Sequence, residues 1–134
     1  MEDYRNYEHG ARVLLKEVRD PERFRVAALD EQFIRQIEEK PTKPKSNHAV
    51  VGCYMYDNRV FGIIDQISPS TRGELEITSV NNEYVARGEL QYSFVRGRWT
   101  EAGTLESLNE ANSLLLLNCN HILARVNRLD KPRR

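Results

Sequence analysis

Ala49-Val50-Val51-Gly52-Cys53-Tyr54-Met55-Tyr56 carries no charge at either alternate set of positions, the pattern of a strand covered on both faces and central in its sheet. Just upstream stands Glu38-Glu39-Lys40-Pro41, then a basic loop punctuated by Pro41 and Pro44, then Ser46-Asn47. Pro41 ends the extended segment before it, which puts Glu39 and Lys40 at a strand's exit rather than inside a ladder. Lys40 is a compact cation suited to phosphate, and Glu39 can accept hydrogen bonds from hydroxyls. Charged pairs at strand ends are where ligands bind in α/β sheets, and they are also what plain solvation of a strand end produces.

On the N-terminal side, Met1 to Gly10 is polar and reads as the end of a helix capped by Gly10. Ala11 to Val18 suits a largely buried strand, and Asp20-Pro21-Glu22 is a turn. Phe24 to Leu29 and Phe33 to Ile37 read as two further strands turning at Asp30-Glu31. Arg35 shares a side with Phe33 and Ile37, and so imperfect an alternation marks an edge strand.

On the C-terminal side, Asp57 or Asn58 caps a helix carrying Val60, Ile64 and Ile67, which Ser68-Pro69-Ser70 stops. Thr71-x-x-Glu74 has capping-box form ahead of a helix with Ile77, Val80 and Tyr84, closed by Gly88. Leu90, Tyr92 and Phe94 alternate as a strand, and Trp99 is expected in a short strand after Gly97. Thr104 caps a last helix running to about Arg128, with Glu106 in its first turn and Leu108, Ala111, Leu115, Cys119, Ile122 and Val126 as its apolar stripe. Strands followed by interleaved helices make one α/β or α+β unit.

The 134 residues suffice for one domain, and 20 basic against 20 acidic side chains leave no field that would draw nucleic acid or an anionic membrane. The basic C-terminus (Arg125, Arg128, Lys131, Arg133, Arg134) reads as a solvated tail. No stretch approaches a membrane span, and Cys53 and Cys119 read as buried thiols of a cytoplasmic chain. The seven glycines form no phosphate-binding loop, and His9, His48 and His121 have no metal-ligand spacing. There remain Glu39, Lys40, Arg72, Glu74, Glu76 and Glu101 at element ends, with Arg72 just before a helix start that also favours an anion. A contact to a sugar phosphate or similar anion is the chemistry these residues suggest.

Several blocks stand out along the chain: Gly10-Ala11-Arg12-Val13-Leu14-Leu15-Lys16-Glu17-Val18, Glu39-Lys40-Pro41, Lys45-Ser46-Asn47-His48-Ala49-Val50-Val51-Gly52 and Tyr54-Met55-Tyr56-Asp57. Arg72-Gly73-Glu74-Leu75-Glu76-Ile77-Thr78, Val80-Asn81-Asn82 and Gly103-Thr104-Leu105-Glu106-Ser107-Leu108 complete them. Together, and in this order, they resemble the glucose-1-phosphate thymidylyltransferase family. The resemblance covers the family's C-terminal half. It implies the C-terminal portion of a Rossmann-like mixed sheet with flanking helices, with residues 1–134 a single partial nucleotidyltransferase domain.

The family joins dTTP and glucose 1-phosphate to give dTDP-glucose and pyrophosphate, with Mg²⁺ and no protein nucleophile. By resemblance, Glu39 holds sugar hydroxyls, Lys40 and Arg72 hold the phosphate, Val50 packs at the sugar, and Glu101 is a Mg²⁺ ligand. Three positions depart from the pattern: Arg25 replaces a glycine at the sugar site, Glu101 an aspartate, and Ser79 an aspartate before Val80-Asn81. The family's glycine-rich nucleotide loop and its other Mg²⁺ aspartate have no counterpart in this sequence.

The expectation is therefore a truncated or split piece, inactive alone, that binds glucose 1-phosphate weakly. A non-catalytic sugar-phosphate module, and an enzyme completed in trans by an N-terminal half, are the alternatives. A full-length relative is a further possible partner. A sheet sharing strands with a missing half should leave an edge free for homo-oligomeric or other edge pairing.

Overall fold

The structure, a computed structural model, describes residues 9–70 and 73–116. The chain falls into two compact units, Met1–Arg96 and Gly97–Arg134. The first holds a five-stranded mixed sheet of β1 (Ala11–Glu17), β2 (Arg25–Asp30), β3 (Phe33–Glu39), β4 (His48–Tyr56) and β5 (Leu90–Phe94), with helices α1 (Val60–Ile64) and α2 (Ile77–Ala86). The strand order is β3-β2-β4-β1-β5, antiparallel throughout except for the parallel pair β1–β5. β4 is central and β3 is an edge, as the apolar run and the broken alternation imply.

β3 owes its pattern to a register shift. Ala28 pairs with Gln36 and Leu29 with Ile34, so Arg35 is an extra residue opposite no partner. That bulge lets Ile34 and Ile37, three apart, both be buried. β1 alternates more simply: Ala11, Val13 and Leu15 are buried, whereas Arg12, Leu14 and Lys16 are half-buried. It is thus covered fully on one face and not on both.

β4 is buried from Ala49 to Val51. Its register with β1 then slips, Val13 facing Tyr54 and Leu15 facing Val50, and the bulged Gly52-Cys53 is exposed. Cys53 is therefore an accessible free thiol and not the buried one expected; Cys119 lies outside the described residues.

α1 is shorter than the apolar spacing implies, because its five residues include Gly62 and Ile67 falls beyond its end. α2 starts at Ile77, with Glu76 at its N-cap position, and Thr71 of the expected capping box lies outside the described residues. Gly73 at φ 77° and the hydrogen bonds Ser70 N to Glu74 O and Gly73 N to Ser70 O close a separate turn ahead of the helix. The far end of α2 is a Schellman cap: Gly88 (φ 69°) donates to Val85 O, and Glu89 N donates to Tyr84 O. Leu15, Ile37, Val50, Ile63, Val80 and Tyr84 belong to one core between sheet and helices.

In the second unit, residues 105–116 are helical, and the rest of the expected last helix lies outside the described residues. Thr104 caps it reciprocally with Ser107: Ser107 N donates to Thr104 Oγ1 at 3.1 Å, and Thr104 N to Ser107 Oγ at 3.0 Å. Leu108 and Leu115 of the expected stripe are exposed, Ala111 is half-buried, and Ser107 is the buried member of this turn. Trp99 lies in irregular backbone and not in a strand.

Candidate functional site at the end of the edge strand

β3 ends at Glu39, and its cross-strand partner is Arg25, the first residue of β2. Opposite charges at facing positions attract, and Arg25 Nε donates to Glu39 Oε2 at 2.7 Å. Thr78 Oγ1, in the first turn of α2, donates to the same oxygen at 2.7 Å. Glu39's side chain is only 19% exposed, so its carboxylate is held in one place by two strands and a helix. Among the described residues no donor engages Glu39 Oε1.

Lys40 follows with φ 41°, a left-handed conformation uncommon for a side chain other than glycine, asparagine or aspartate. Its amide donates to Phe24 O at 3.1 Å, which fixes the turn, and the residue itself is exposed. Among the described residues its ammonium has no hydrogen-bond or ion-pair partner. Strained backbone beside a positioned carboxylate and an open cation is the kind of feature that collects at ligand sites. Next to them, Lys45 Nζ pairs with Glu38 Oε1 at 2.7 Å.

Val50 is placed differently. Its side chain is 5% exposed and packs in the core, so its backbone is what it can offer a ligand. Arg72 lies outside the described residues. Glu101 belongs to the second unit, where its carboxylate lies against Gly103, 3.6 Å from where a Cβ would stand. Among the described residues no group of three or more His, Cys, Asp or Glu side chains stands close enough to hold a metal. These residues thus do not make a metal site by themselves.

Just past the end of β4, Asp57 Oδ1 accepts from Tyr84 Oη (2.8 Å) and Oδ2 from Gly10 N (2.6 Å), while Arg59 Nη2 stands 2.7 Å from Oδ2. Desolvation opposes its charge, but the hydrogen bonds from Arg59, Gly10 and Tyr84 outweigh it and hold the carboxyl well below the usual range. Burial pushes the Tyr84 and Tyr56 hydroxyls up, so both stay protonated donors. Tyr56 Oη donates to Asn81 Oδ1 at 2.5 Å. Asn82 faces the outer edge of β3, Oδ1 accepting from Ile37 N and Nδ2 donating to Ile37 O, both at 2.8 Å. These contacts account for Val80-Asn81-Asn82; nothing in the structure explains Ser79.

A groove of about 400 Å³ lies at the other end of β3, lined by Phe33, Ile34, Arg35, Val85 and Leu90. Among the described residues its one charged lining group is Arg35, which is engaged by Asp30. Among the described residues it holds no carboxylate, histidine or nucleophile.

Of these features, sequence reasoning did not find the Thr78 contact, the Arg25–Glu39 pair or the Asp57 hub. Thr78 and Asp57 lie inside blocks that carry the resemblance. Arg25 announced itself only as a charge where a glycine was expected.

Residues 1–117 match the family described as Nucleotidyl transferase. Glucose-1-phosphate thymidylyltransferase of Neisseria gonorrhoeae is 48% identical over 110 residues, covering 80% of this chain and 38% of the relative. The low-salt glycan biosynthesis nucleotidyltransferase Agl11 of Haloferax volcanii is 37% identical over 118 residues, 87% of this chain and 33% of the relative. Among solved structures, a glucose-1-phosphate thymidylyltransferase from Bacillus anthracis in complex with a sucrose superimposes with a TM-score of 0.78 at 53% identity, over 84% of this chain and 46% of that one. This chain therefore spans less than half the length of these relatives. The mixed sheet, the flanking helices and the match over residues 1–117 agree, and the chain belongs to the nucleotidyl transferase family.

Proposed function

We propose that these residues form the sugar-1-phosphate side of a glucose-1-phosphate thymidylyltransferase, which joins dTTP and glucose 1-phosphate to dTDP-glucose and pyrophosphate. The observation that carries the reading is the Glu39–Lys40 corner, an immobilised carboxylate followed by an outward cation on strained backbone. Glu39 accepts a sugar hydroxyl at Oε1, Lys40 and Arg72 take the phosphate, and the Val50 backbone borders the sugar. By the family resemblance Glu101 would offer Mg²⁺ one hard oxygen ligand, and no step is assigned to the ion. A cytoplasmic setting belongs to the same reading.

Two charge-assisted phosphate contacts of about 1.5–3 kcal/mol each bracket the roughly 4 kcal/mol of a millimolar complex. Ligand-detected NMR with glucose 1-phosphate should show such binding, weakened about tenfold or more in Lys40→Ala. Equal signals from both proteins would make Lys40 a solvated surface charge and remove the reading.

The sequence contains no triphosphate cradle, so the 134 residues by themselves should release no pyrophosphate from dTTP and glucose 1-phosphate with Mg²⁺. Adding the N-terminal segment of a close relative should restore some turnover, the outcome expected of an enzyme completed in trans. Turnover without it, abolished by Lys40→Ala, would overturn the half-site assignment. The hold of Arg25 on Glu39 favours a second reading, a non-catalytic sugar-phosphate-binding module. That reading predicts binding with no turnover even after complementation.

A further inference from the structure

The guanidinium of Arg25 is engaged on one edge and open at its end. Its Nε faces Glu39 Oε2, which already takes the Thr78 hydroxyl. Its Nη1 makes only a long 3.5 Å contact to Tyr54 Oη, and its Nη2 has no hydrogen-bond partner among the described residues. The side chain is 37% exposed, so this end reaches solvent beside the site. A planar pair of N–H groups at the end of a guanidinium matches a carboxylate in a two-point contact that a neutral hydroxyl cannot reproduce.

Glu39 is changed by the same arrangement. Two donors occupy Oε2, leaving Oε1 as its free acceptor, so the carboxylate presents one unengaged oxygen where it would otherwise offer two to a pair of neighbouring hydroxyls. Its charge is already met by Arg25 and does not stand unscreened against an incoming anion. The corner therefore offers one acceptor, Glu39 Oε1, beside two donors that accept nothing, Arg25 Nη1 and Nη2. Lys40 adds a separate outward cation on the next residue.

We propose that Arg25 is the specificity-determining residue of this corner, selecting sugar 1-phosphates that bear a carboxylate, such as a hexuronic acid 1-phosphate, over neutral glucose 1-phosphate. This rests on the sugar-phosphate reading of Glu39 and Lys40 and narrows that site's preferred ligand from glucose 1-phosphate, bound more weakly, to a carboxylate-bearing sugar 1-phosphate. The phosphate goes to Lys40, one hydroxyl to Glu39 Oε1, and the carboxylate to the open end of Arg25.

The test is titration of the 134-residue protein with glucose 1-phosphate and with glucuronic acid 1-phosphate, followed by ligand-detected NMR. It is repeated on Arg25→Gln and Arg25→Lys, with thermal melting to establish that each variant is folded. The uronic ligand should bind about tenfold more tightly, the size of one charge-assisted two-point contact. Arg25→Gln should bring the two ligands to equal affinity without abolishing either, and Arg25→Lys, a point charge without the fork, should keep a reduced preference. Equal affinities in the unsubstituted protein, or an undiminished preference in folded Arg25→Gln, would overturn the role of Arg25 and leave the sugar-phosphate reading standing. Loss of both ligands in folded Arg25→Gln would show Arg25 to be a structural support of Glu39 and would also overturn it. Failure of the unsubstituted protein to bind either ligand would remove the reading and this proposal together.

Discussion

Asp57 gathers donors from three separated parts of the chain: the Gly10 amide ahead of β1, the Tyr84 hydroxyl on α2, and Arg59 just before α1. Arg59 in turn reaches Glu89 at 2.9 Å, tying in the turn that precedes β5. Helix-start statistics place an aspartate at this position as a cap, and its bond to Arg59 N at 3.1 Å keeps part of that role. The larger role is long-range, and no local rule announces it. Asp57→Asn should destabilise the fold by about 2–3 kcal/mol at neutral pH, since an amide presents hydrogens where the site needs acceptors. The sign with pH follows from the depressed folded pKa. Asp57's contribution is complete above the unfolded carboxylate pKa of about 3.9 and is lost as pH falls through the lower folded value. Urea unfolding of both proteins should therefore show a constant gap from pH 5 to 7 that narrows below about pH 4. A gap that stays flat into the acid range would mean that the charge on Asp57 contributes nothing.

At the scale of elements, the strands were the most legible part of the sequence. Alternation and apolar runs are local signals, and all five strands stand within one or two residues of where the pattern puts them. The edge position of β3 could be read from Arg35 because a bulge disturbs alternation wherever it occurs. Helix starts and burial were less legible. Gly73 diverts the chain into its own turn ahead of α2, and Gly52-Cys53 is exposed by a register slip against β1 that depends on a partner strand. Glu39 and Lys40 were visible as site candidates because Pro41 marks a strand's end, whereas Thr78 reaches Glu39 across 39 positions of sequence. The same limit hid Asn82, whose amide takes the place of a neighbouring strand for Ile37. Asn82→Ala would strip both partners from a backbone unit whose residue is 1% exposed, at a cost of about 2–3 kcal/mol. Hydrogen exchange should show the Ile37 amide losing protection ahead of its neighbours in β3. Unchanged protection at Ile37 would mean that α2 covers this edge without needing the amide.

For the whole molecule, the sheet's two edges are not equivalent. β3 has its outer backbone engaged at Ile37 by Asn82, whereas β5 is paired with β1 alone in the sheet described. β5 also ends in Phe94, 51% exposed, and further apolar surface stands free at Phe61 (70%) and Leu75 (57%). Relatives such as the gonococcal thymidylyltransferase are more than twice as long as the segment they share with this chain. An unpaired strand with an apolar tip is a template for another strand, and proteins that tolerate one usually blunt it with lysine or proline. β5 contains neither. The 134-residue protein should therefore associate with itself in a concentration-dependent way, seen by size-exclusion chromatography with light scattering over a dilution series. Phe94→Lys places a charge at the tip and should shift the population toward monomer, whereas Phe61→Lys, off the sheet edge on α1, should leave it unchanged. A monomer that persists at every concentration would show that the β5 edge recruits no partner, and an equal response to both lysines would assign association to general apolar surface and not to strand pairing.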